Sequence, residues 1–387
     1  MTRAARAAAS RPTVAEFFAG AGLARLGLER AGLAVVWAND IDADKAALYR
    51  RRFGADHLVE GSIDGVRGAD LPDADVAWAS FPCTDLSLAG GRLGLEGARS
   101  GLLWSFARVL EEWGARRPPV VVLENVVGFA TSRGGRDLAE AVAALNALGY
   151  AVDAVVLDAR HFVAQSRPRL FLLGVSGLRW QRSEYTAETK RVALPPQTGV
   201  GLRPAVLDGL WGNPALRTFN APLPAPPAPS AGLAEAVVAY DDDDPVWWPA
   251  DRVASLAESL SPLQAERLRQ LAAGPITAYR TACRRTRAGR AVWEIRPDSL
   301  AGCLRAVRGG SSRQAIVAAG GGRVRVRWLA PREAARLMGA DDYPLDGLRA
   351  NQALFAFGDA VCVPAVAWLA RHWISPALAA QSAERTA

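Results

Sequence analysis

Apolar segments of strand length alternate with helical patterns through the first 175 residues, and this alternation limits the possible folds more than any other feature of the chain. Strands are predicted over residues 13–18, 33–37, 75–80, 120–123, 154–157 and 170–175. The segment 120–123 is wholly apolar, which is typical of a parallel strand covered on both faces. The sequence therefore predicts an α/β protein with a doubly wound, mostly parallel sheet, whose sites lie at the carboxyl ends of the strands.

The composition is that of a globular protein. Of the 387 residues, 50% are hydrophobic, and no uncharged apolar run approaches the roughly 20 residues that a membrane-spanning helix needs. A chain of this length can hold one large core and a second, smaller domain. We expect a soluble protein without a membrane partner.

Cysteine and histidine usage supports neither a disulfide framework nor a metal centre. The cysteines form no Cys-x-x-Cys pair, and the histidines share no ligand-like spacing with them. These features fit a reducing cytoplasm, where a thiolate stays available. Residues 1–12 are predicted to be a disordered basic tail rather than a transit peptide. The cysteines are Cys83, Cys283, Cys303 and Cys362.

A glycine turn joins the first predicted strand to a helix. Gly20 and Gly22 let the backbone turn tightly and approach a ligand, and the helix beyond them presents free N–H groups. Similar turns occur in many α/β proteins that bind no cofactor. Asp40 follows the second strand, eighteen residues after Gly22. There an acid can accept hydrogen bonds from ribose hydroxyls, or it can only cap the next helix.

Cys83 follows the third predicted strand in the run Phe81-Pro82-Cys83. Proline cannot donate to a ladder, so the strand should end at residue 80 or 81. A lone cysteine in apolar surroundings is usually a small packing residue. The polar residues 84–87 and the glycines at 90 and 91 are typical of a loop over a site, so a nucleophile remains the alternative.

Glu124 comes directly after four aliphatic residues that are expected to be buried. Its carboxyl group should be partly desolvated, which prepares it to hold or donate a proton near neutral pH, although it could also turn into solvent. Arg167 and Arg169 flank Pro168 at the entry of the strand over residues 170–175. They could be surface charges or a clamp for an anion.

The net charge of +7 is concentrated in one region. Residues 280–332 hold thirteen arginines and only two acids, interleaved with aromatic residues. An excess this one-sided favours a polyanionic partner over a merely solvated basic face. Ahead of it, residues 221–229 are predicted to form an extended Pro-rich connector and residues 241–244 a solvated acidic loop. Residues 261–271 are predicted to form a helix that Ser261 caps.

Seven short motifs occur in the order seen in the cytosine-5 DNA methyltransferases of bacterial restriction-modification systems, a family that this chain resembles over residues 13–175 and 325–372. The motifs are Phe18-Ala19-Gly20-Ala21-Gly22, Asp40, Phe81-Pro82-Cys83, Glu124-Asn125-Val126, Gln165-x-Arg167-x-Arg169, residues 332–339 and residues 357–361. The chain departs from the family's usual Gln, Phe, acid and Asn at Thr84, Leu86, Ser62 and Asp359.

The resemblance implies transfer of a methyl group from S-adenosylmethionine to C5 of a cytosine. Cys83 would add to C6, because C5 is a poor nucleophile until a thiolate addition generates an enamine. Glu124 would protonate or hydrogen-bond N3, Arg169 would orient the base or Glu124, and Arg167 would assist. Asn125 is expected to be structural. The sequence does not identify the base that removes the C5 proton.

The same resemblance implies a cofactor site and a DNA surface. The residues expected to line the S-adenosylmethionine site are Phe18, Gly20, Gly22, Asp40, Ile41, Phe81 and Val361, with Asp40 on the ribose. The target cytosine has to leave the duplex, because C6 is attacked from above the ring plane. Ser87 and Arg92 are expected to contact DNA from a loop over residues 84–99 that closes on it. The residues expected to read base edges are Arg308, Arg313 and Gln314.

The predicted domains are a catalytic α/β domain at residues 13–180, an inserted target-recognition region at 181–324, a return to the catalytic domain at 325–375 and a C-terminal tail at 376–387. We expect a monomer in the bacterial cytoplasm, associated with the nucleoid, that methylates double-stranded DNA without a metal. A cognate restriction endonuclease could act on the same sites without a stable complex. The alternatives are an RNA cytosine-5 methyltransferase on the same scaffold and an inactive nucleic-acid-binding relative.

Overall fold

The computed structural model describes residues 11–82, 101–177, 201–306 and 313–386. The chain divides into two compact units: unit 1 comprises Met1–Asp158, Pro168–Pro226 and Ala365–Ala387, and unit 2 comprises Ala159–Arg167 and Pro227–Pro364. The helices, in chain order, are α1 (Leu23–Arg30), α2 (Ala43–Phe53), α3 (Leu102–Glu112), α4 (Arg136–Ala147), α5 (Asp208–Trp211), α6 (Leu233–Ala236), α7 (Ala250–Glu258), α8 (Pro262–Ala273), α9 (Pro331–Leu337), α10 (Ala350–Asp359), α11 (Val363–Leu369) and α12 (Ser375–Thr386).

Unit 1 contains a seven-stranded sheet with the order β3-β2-β1-β4-β5-β7-β6. Its strands are β1 (Thr13–Phe17), β2 (Ala34–Asp40), β3 (Leu58–Glu60), β4 (Val76–Ala79), β5 (Val120–Val126), β6 (Tyr150–Asp158) and β7 (Pro168–Ser176). The pairings from β3 to β5 are parallel, whereas β7 runs antiparallel to both β5 and β6. The predicted doubly wound, mostly parallel sheet is therefore confirmed.

The reversal of β7 follows from the short connection before it. Residues 159–167 join β6 to β7, and this segment is too short for the crossover helix that a parallel pair requires. The core of unit 1 packs helices against the sheet: Phe17, at the end of β1, contacts Phe106 in α3 edge to face, with ring centroids 5.0 Å apart. This packing anchors the end of β1, where the glycine turn begins.

Four strands, β2, β5, β6 and β7, run further than the sequence predicts. β2 includes Asp40, and β5 continues through Glu124 and Asn125 to Val126. Polar residues continue these strands because the ladder still satisfies their backbone groups: Glu124 lies opposite Phe171 and Asn125 opposite Leu170. The acidic side chains of interest therefore project from strands rather than from loops.

Unit 2 contains a four-stranded antiparallel sheet with the order β11-β10-β8-β9. Its strands are β8 (Ala278–Arg287), β9 (Arg290–Ile295), β10 (Gln314–Gly320) and β11 (Arg323–Trp328). Apolar residues on one face, including Ala282, Val317 and Val326, form a core with Leu256 of α7 and Leu268 of α8. The predicted start of α8 is confirmed, because the Ser261 side chain accepts the N–H of Gln264 and Pro262 occupies the first turn.

The limits of these units differ from the domain boundaries that the sequence predicts. Residue 324 was predicted to end the recognition region, but it lies within β11, which pairs with β10 from Gly320↔Arg323 to Ala315↔Trp328. A short strand pattern next to turn glycines occurs both in a hairpin within one domain and at a boundary between domains, so the sequence alone does not distinguish the two. Which of the two units recognises the target stays a prediction.

Both predicted tails contain ordered residues. Arg11 donates to the carbonyl oxygens of Gly32 at 3.1 Å and Leu33 at 2.8 Å. Residues 376–386 belong to α12, where Gln381 donates to the Ser176 carbonyl. The predicted C-terminal tail is therefore corrected to a helix. Its many alanines explain this, since alanine has the highest helix propensity.

One helical stretch in the described part of the chain, Ala350–Ala383, is long and apolar enough to cross a membrane by length and composition alone. Of its most apolar window, 78% is buried inside the protein, as in core helices of globular proteins. The stretch contains Asp359 and Arg371, so the expectation that no uncharged apolar run reaches membrane-spanning length is unaffected.

Candidate active site

The carboxyl ends of β4 and β5 lie side by side in the sheet of unit 1. The strands are parallel, with Ala79 opposite Leu123, so the segments that follow them leave at the same edge. Asn125 donates its side-chain amide to the carbonyl oxygen of Phe81 at 3.3 Å. This bond fixes the backbone just before Cys83, which itself lies outside the described residues.

Glu124 forms an ion pair with Arg169, the second residue of β7. Arg169 Nε lies 3.0 Å from Glu124 Oε1. Glu124 is only 6% exposed, so the predicted partial desolvation is confirmed, and the alternative of a glutamate turned into solvent is wrong. The pair presents a carboxyl group held by a guanidinium near the end of β5.

Arg167 has a different environment from Arg169, although the two are separated by one residue. It belongs to unit 2, is 1% exposed, and donates to the carbonyl oxygens of Leu304 at 2.7 Å and Gly358 at 3.0 Å, and to that of Ala360. All three acceptors are backbone atoms of unit 2. These contacts argue for a structural role instead of the catalytic assistance predicted for Arg167.

Asp40 ties the end of β2 to the glycine turn after β1. Its two carboxylate oxygens accept the backbone N–H groups of Gly20 at 2.7 Å and of Asp42 at 2.8 Å. Asp42, rather than Asp40, caps α2 by accepting the N–H of Lys45. Burial raises the pKa of Asp40 against the effect of the two backbone hydrogen bonds. A carboxylate has about four acceptor sites, so Asp40 can still bind a ligand hydroxyl.

The turn after β1 has positive φ angles at alternate positions, 56° at Phe18, 56° at Gly20 and 75° at Gly22. A Cβ on Gly22 would lie 2.5 Å from Phe53 and 2.8 Å from Tyr49 in α2, whereas one on Gly20 would meet no atom closer than 3.9 Å. Gly22 is thus required for packing against α2. The positive φ of Phe18 is uncommon for a bulky residue, and such strain clusters at ligand sites.

The other predicted cofactor residues lie in both units. Ile41 is 69% exposed beside the buried Asp40, so it offers an apolar surface next to a hydrogen-bond acceptor, as a nucleoside requires. Phe81 is buried and packs edge to face on Phe129, with ring centroids 5.7 Å apart. Val361 is buried within unit 2.

Sequence reasoning did not single out Glu16, a fully buried acid in β1. Its Oε1 accepts the N–H of Arg25 at 3.1 Å, and its Oε2 has no hydrogen-bond partner among the described residues. Desolvation raises the pKa of Glu16 to about 8. Arg25 also donates to the Tyr49 hydroxyl at 2.9 Å, which joins α1 to α2. The signal in the sequence was an acid inside an otherwise apolar strand.

Two of the residues predicted to contact bases are described. Gln314 donates to the carbonyl of Gly302 at 2.9 Å and accepts its N–H at 3.0 Å, which argues against the predicted base contact because the main chain already occupies this amide. The Arg313 guanidinium lies 4.9 Å from the centroid of the Trp328 ring. The predicted loop over residues 84–99 and the following residues lie outside the described residues: Cys83, Ser87, Arg92 and Arg308.

Many arginines of the basic stretch form ion pairs inside unit 2. The pairs are Arg287–Glu294, Arg296–Asp298, Arg323–Asp242, Arg325–Asp242 and Arg327–Glu333. Hydrogen bonding from Arg323 and the charge of Arg325 lower the pKa of Asp242, which comes from the predicted acidic loop. The charge left for a polyanion is therefore confined to fewer residues than the composition suggests.

The strand order of unit 1, with its reversed β7 and polar side chains at the carboxyl ends of β2 and β5, defines the class I methyltransferase fold. Residues 13–204 match the C-5 cytosine-specific DNA methylase family. This part of the chain therefore carries a domain of that family.

Two bacterial relatives illustrate the similarity. The type II methyltransferase M.NgoFVII of Neisseria gonorrhoeae is 34% identical over 199 residues, which cover 50% of this chain and 52% of that protein. The type II methyltransferase M.HhaI of Haemophilus parahaemolyticus is 35% identical over 159 residues, which cover 41% and 47%. The chain thus spans about half the length of the curated relatives it matches.

Solved structures extend the likeness to nearly the whole chain. The Dnmt2 methyltransferase of S. pombe has a TM-score of 0.58 at 16% identity, over 95% of this chain and 99% of that chain. A putative DNA modification methyltransferase encoded within an E. coli prophage has a TM-score of 0.57 at 16% identity with the same coverage. At this level of identity the likeness shows the fold alone.

Proposed function

We propose that the protein transfers the methyl group of S-adenosylmethionine to C5 of a flipped-out cytosine in duplex DNA, through a covalent bond between Cys83 Sγ and C6. The observation that carries this proposal is the buried Glu124–Arg169 pair near the end of β5. Beside it, Asn125 holds the Phe81 carbonyl two residues before Cys83. The C-5 cytosine-specific DNA methylase domain at residues 13–204 supplies the reaction class.

The proposed chemistry begins with bond formation between the Cys83 thiolate and C6 of the ring. Glu124 hydrogen-bonds or protonates N3, which draws electrons from C6 and makes it electrophilic, and Arg169 holds the Glu124 carboxyl in one orientation. C5 would then form a bond to the methyl carbon of the donor while the bond between that carbon and the sulfonium sulfur breaks, so that the sulfur keeps the electron pair and leaves as a neutral thioether. Loss of the C5 proton expels the thiolate and restores the aromatic ring as 5-methylcytosine.

Several residues of unit 1 fit the proposed cofactor. S-adenosylmethionine supplies an electrophilic methyl group on a sulfonium centre. Asp40 would accept hydrogen bonds from the ribose hydroxyls with its remaining lone pairs, and the exposed Ile41 would cover the adenine. The backbone of Gly20 leaves room for a ligand to approach. Phe18, Gly22 and Phe81 complete the set proposed for unit 1.

The remaining assignments are also proposals. Double-stranded DNA is the substrate, and Ser87, Arg92 and Arg308 contact it. The protein acts as a monomer in the bacterial cytoplasm, at the nucleoid and without a metal, and a restriction endonuclease of the same specificity accompanies it. Type II methyltransferase relatives support the restriction-modification setting.

The test is methylation of defined nucleic acids by the purified full-length protein. Duplex DNA incubated with labelled S-adenosylmethionine should yield 5-methylcytosine on digestion and mass spectrometry. The Cys83→Ser variant should yield none, and Cys283→Ser, a half-buried cysteine of unit 2, should retain activity. Duplex DNA carrying 5-fluorocytosine should trap a covalent complex with the wild type but not with Cys83→Ser, because fluorine cannot leave C5 as a proton does.

The outcomes separate the alternatives. Methylated adenine, or full activity in Cys83→Ser, would refute the proposal. Methylation of a structured RNA but not of DNA would favour the RNA cytosine-5 methyltransferase. DNA binding with no methylation of any substrate would favour the inactive nucleic-acid-binding relative.

A further inference from the structure

Three tryptophans and two arginines cluster in unit 2. The rings of Trp248, Trp293 and Trp328 contact one another, with centroid distances of 5.0, 5.4 and 5.9 Å. The Arg252 guanidinium, from α7, lies 3.9 Å from the Trp248 ring centroid and 5.1 Å from that of Trp328. Arg313, just before β10, lies 4.9 Å from the Trp328 centroid. We call these five residues the Trp–Arg cluster.

No acid among the described residues forms an ion pair with the arginines of this cluster, Arg252 and Arg313, in contrast to Arg323 and Arg325, which share Asp242. Burial and the neighbouring Arg252 lower the pKa of the Arg313 guanidinium, and no acid opposes this effect. Arg313 Nε is buried without a hydrogen-bond partner in the described part of the chain. Two like charges beside one ring repel each other unless an anion joins them.

The strand register adds a third arginine to this end of the sheet. Arg284 lies directly opposite Trp293 in the β8–β9 pair. Because side chains alternate along a strand, Arg284 shares a face with Ala282, which belongs to the same apolar core as Trp248. Arg284 therefore lies on the face that carries the Trp–Arg cluster, and it is exposed.

We infer that the Trp–Arg cluster, with Arg284, binds a backbone phosphate of duplex DNA, an inference that rests on the proposed function. Guanidinium groups match phosphate oxygens with paired N–H donors. Indole rings hold guanidiniums in place by cation–π contacts while leaving their edges free to donate, which reduces the entropy lost on binding. A phosphate contact positions the duplex without reading its sequence. The cluster should therefore strengthen binding equally for any DNA sequence.

The test is the salt dependence of DNA binding by full-length Arg252→Gln and Arg313→Gln proteins. Dissociation constants are measured by fluorescence anisotropy for two duplexes of unrelated sequence, over a series of salt concentrations. Each variant should bind about tenfold more weakly on both duplexes. The slope of log K against log salt should fall in magnitude by about 0.9 for each arginine removed.

Arg296→Gln is the matched control, because it removes an arginine of the same unit that Asp298 already binds with two hydrogen bonds. It should bind DNA nearly as the wild type does. If Arg313→Gln fails to fold, Arg252→Gln alone tests the inference, because Arg252 lies on the exposed surface of α7. Unchanged affinity and salt slope in the Arg252 variant, or a loss confined to one of the two sequences, would overturn the inference.

The binding assay is independent of methyl transfer, so the two proposals can fail separately. A protein that binds DNA, loses affinity in both cluster variants and makes no 5-methylcytosine would refute the proposed activity and support the cluster. A protein that methylates DNA while both variants bind like the wild type would refute the cluster alone.

Discussion

Arg169 Nε lies 3.0 Å from Glu124 Oε1, and the two residues come from strands that run in opposite directions. Arg169 is directly opposite Val126, so its side chain reaches diagonally across the ladder to Glu124. The reversal of β7 makes this contact available, because the start of β7 lies beside the end of β5. A parallel strand in the same place would bring its last residue, Ser176, to this edge instead.

Replacing Glu124 by glutamine should reduce the methyl-transfer rate by about a hundredfold or more, the usual effect of losing a positioned acid. Glutamine keeps the shape of the side chain and a hydrogen-bond acceptor, so duplex DNA should bind with unchanged affinity. Single-turnover kinetics and anisotropy measure the two effects. Glu140→Gln is the control, since Glu140 is an exposed acid on α4. A wild-type rate in Glu124→Gln would remove this residue from the chemistry.

The two arginines on either side of Pro168 should respond differently to replacement by lysine. Arg167→Lys loses the planar fork that serves three carbonyl groups, so the free energy of unfolding should fall by about 2 to 4 kcal/mol. Arg169→Lys keeps a charge near Glu124, so it should lower stability by less than Arg167→Lys does while slowing methyl transfer. Urea unfolding and initial rates provide the comparison. Equal losses of stability would contradict the separate roles.

The two glycines of the first turn provide a matched pair. Gly22→Ala forces Phe53 and Tyr49 to move and strains a φ of 75°, so the free energy of unfolding should fall by about 3 kcal/mol. Gly20→Ala meets no close atom and should cost only about 1 kcal/mol.

If Gly20 leaves room for the cofactor, Gly20→Ala should nevertheless weaken S-adenosylmethionine binding, as measured by calorimetry. Gly22→Ala would then lose more stability. Gly20→Ala would show the larger loss of cofactor affinity for a given loss of stability. Unaltered cofactor affinity in Gly20→Ala would show that the turn serves packing alone.

Glu16 should make the stability of the protein depend on pH. Its pKa is raised from 4.5 to about 8 by burial, so the folded state keeps a proton that the unfolded chain releases. Its contribution is fully present below about pH 4.5, decreases as the pH rises towards 8, and is constant above that. The slope from this group is at most about 1.4 kcal/mol per pH unit.

The Glu16→Gln variant removes this titration. Urea unfolding between about pH 5 and 9 should show the variant gaining stability relative to the wild type as the pH rises, with no further gain above about pH 8. A pH-independent difference between Glu16→Gln and the wild type would contradict the buried, protonated state.

The sequence predicts the sheet well, because runs such as residues 120–123 leave few alternatives to a buried strand. It could not separate Arg167 from Arg169, since both precede the same apolar run and only the register of β7 and the path of residues 159–167 assign them to different units. The same limit applies to Gln314, whose partner Gly302 is remote in the chain and supplies only backbone atoms. Contacts with main-chain groups leave no pattern in the sequence of the partner.

The Trp–Arg cluster was overlooked for a related reason. The basic stretch predicts a polyanion surface from its arginine count, but a count cannot show which arginines pair with Asp242, Glu294 and Glu333. Arg252 lies outside the stretch and meets Trp328 only through the packing of α7 on the sheet. Fold packing, rather than local composition, decides which charges remain available.

The hydrogen bonds made by residues 159–167 determine which parts of the segment over residues 227–364 can change. Gln165 binds the Leu337 carbonyl at 2.6 Å and the Leu304 N–H at 2.9 Å, and Arg167 binds three further carbonyl groups. These five partners are peptide groups: four carbonyl groups, which every amino acid carries, and one N–H group, which every amino acid except proline carries. The segment over residues 227–364 can therefore be exchanged for one of different side chains and similar backbone path without losing its attachment to this short insert. A graft that replaces this segment would need to preserve loop lengths at 304 and 358–360 more strictly than residue identities.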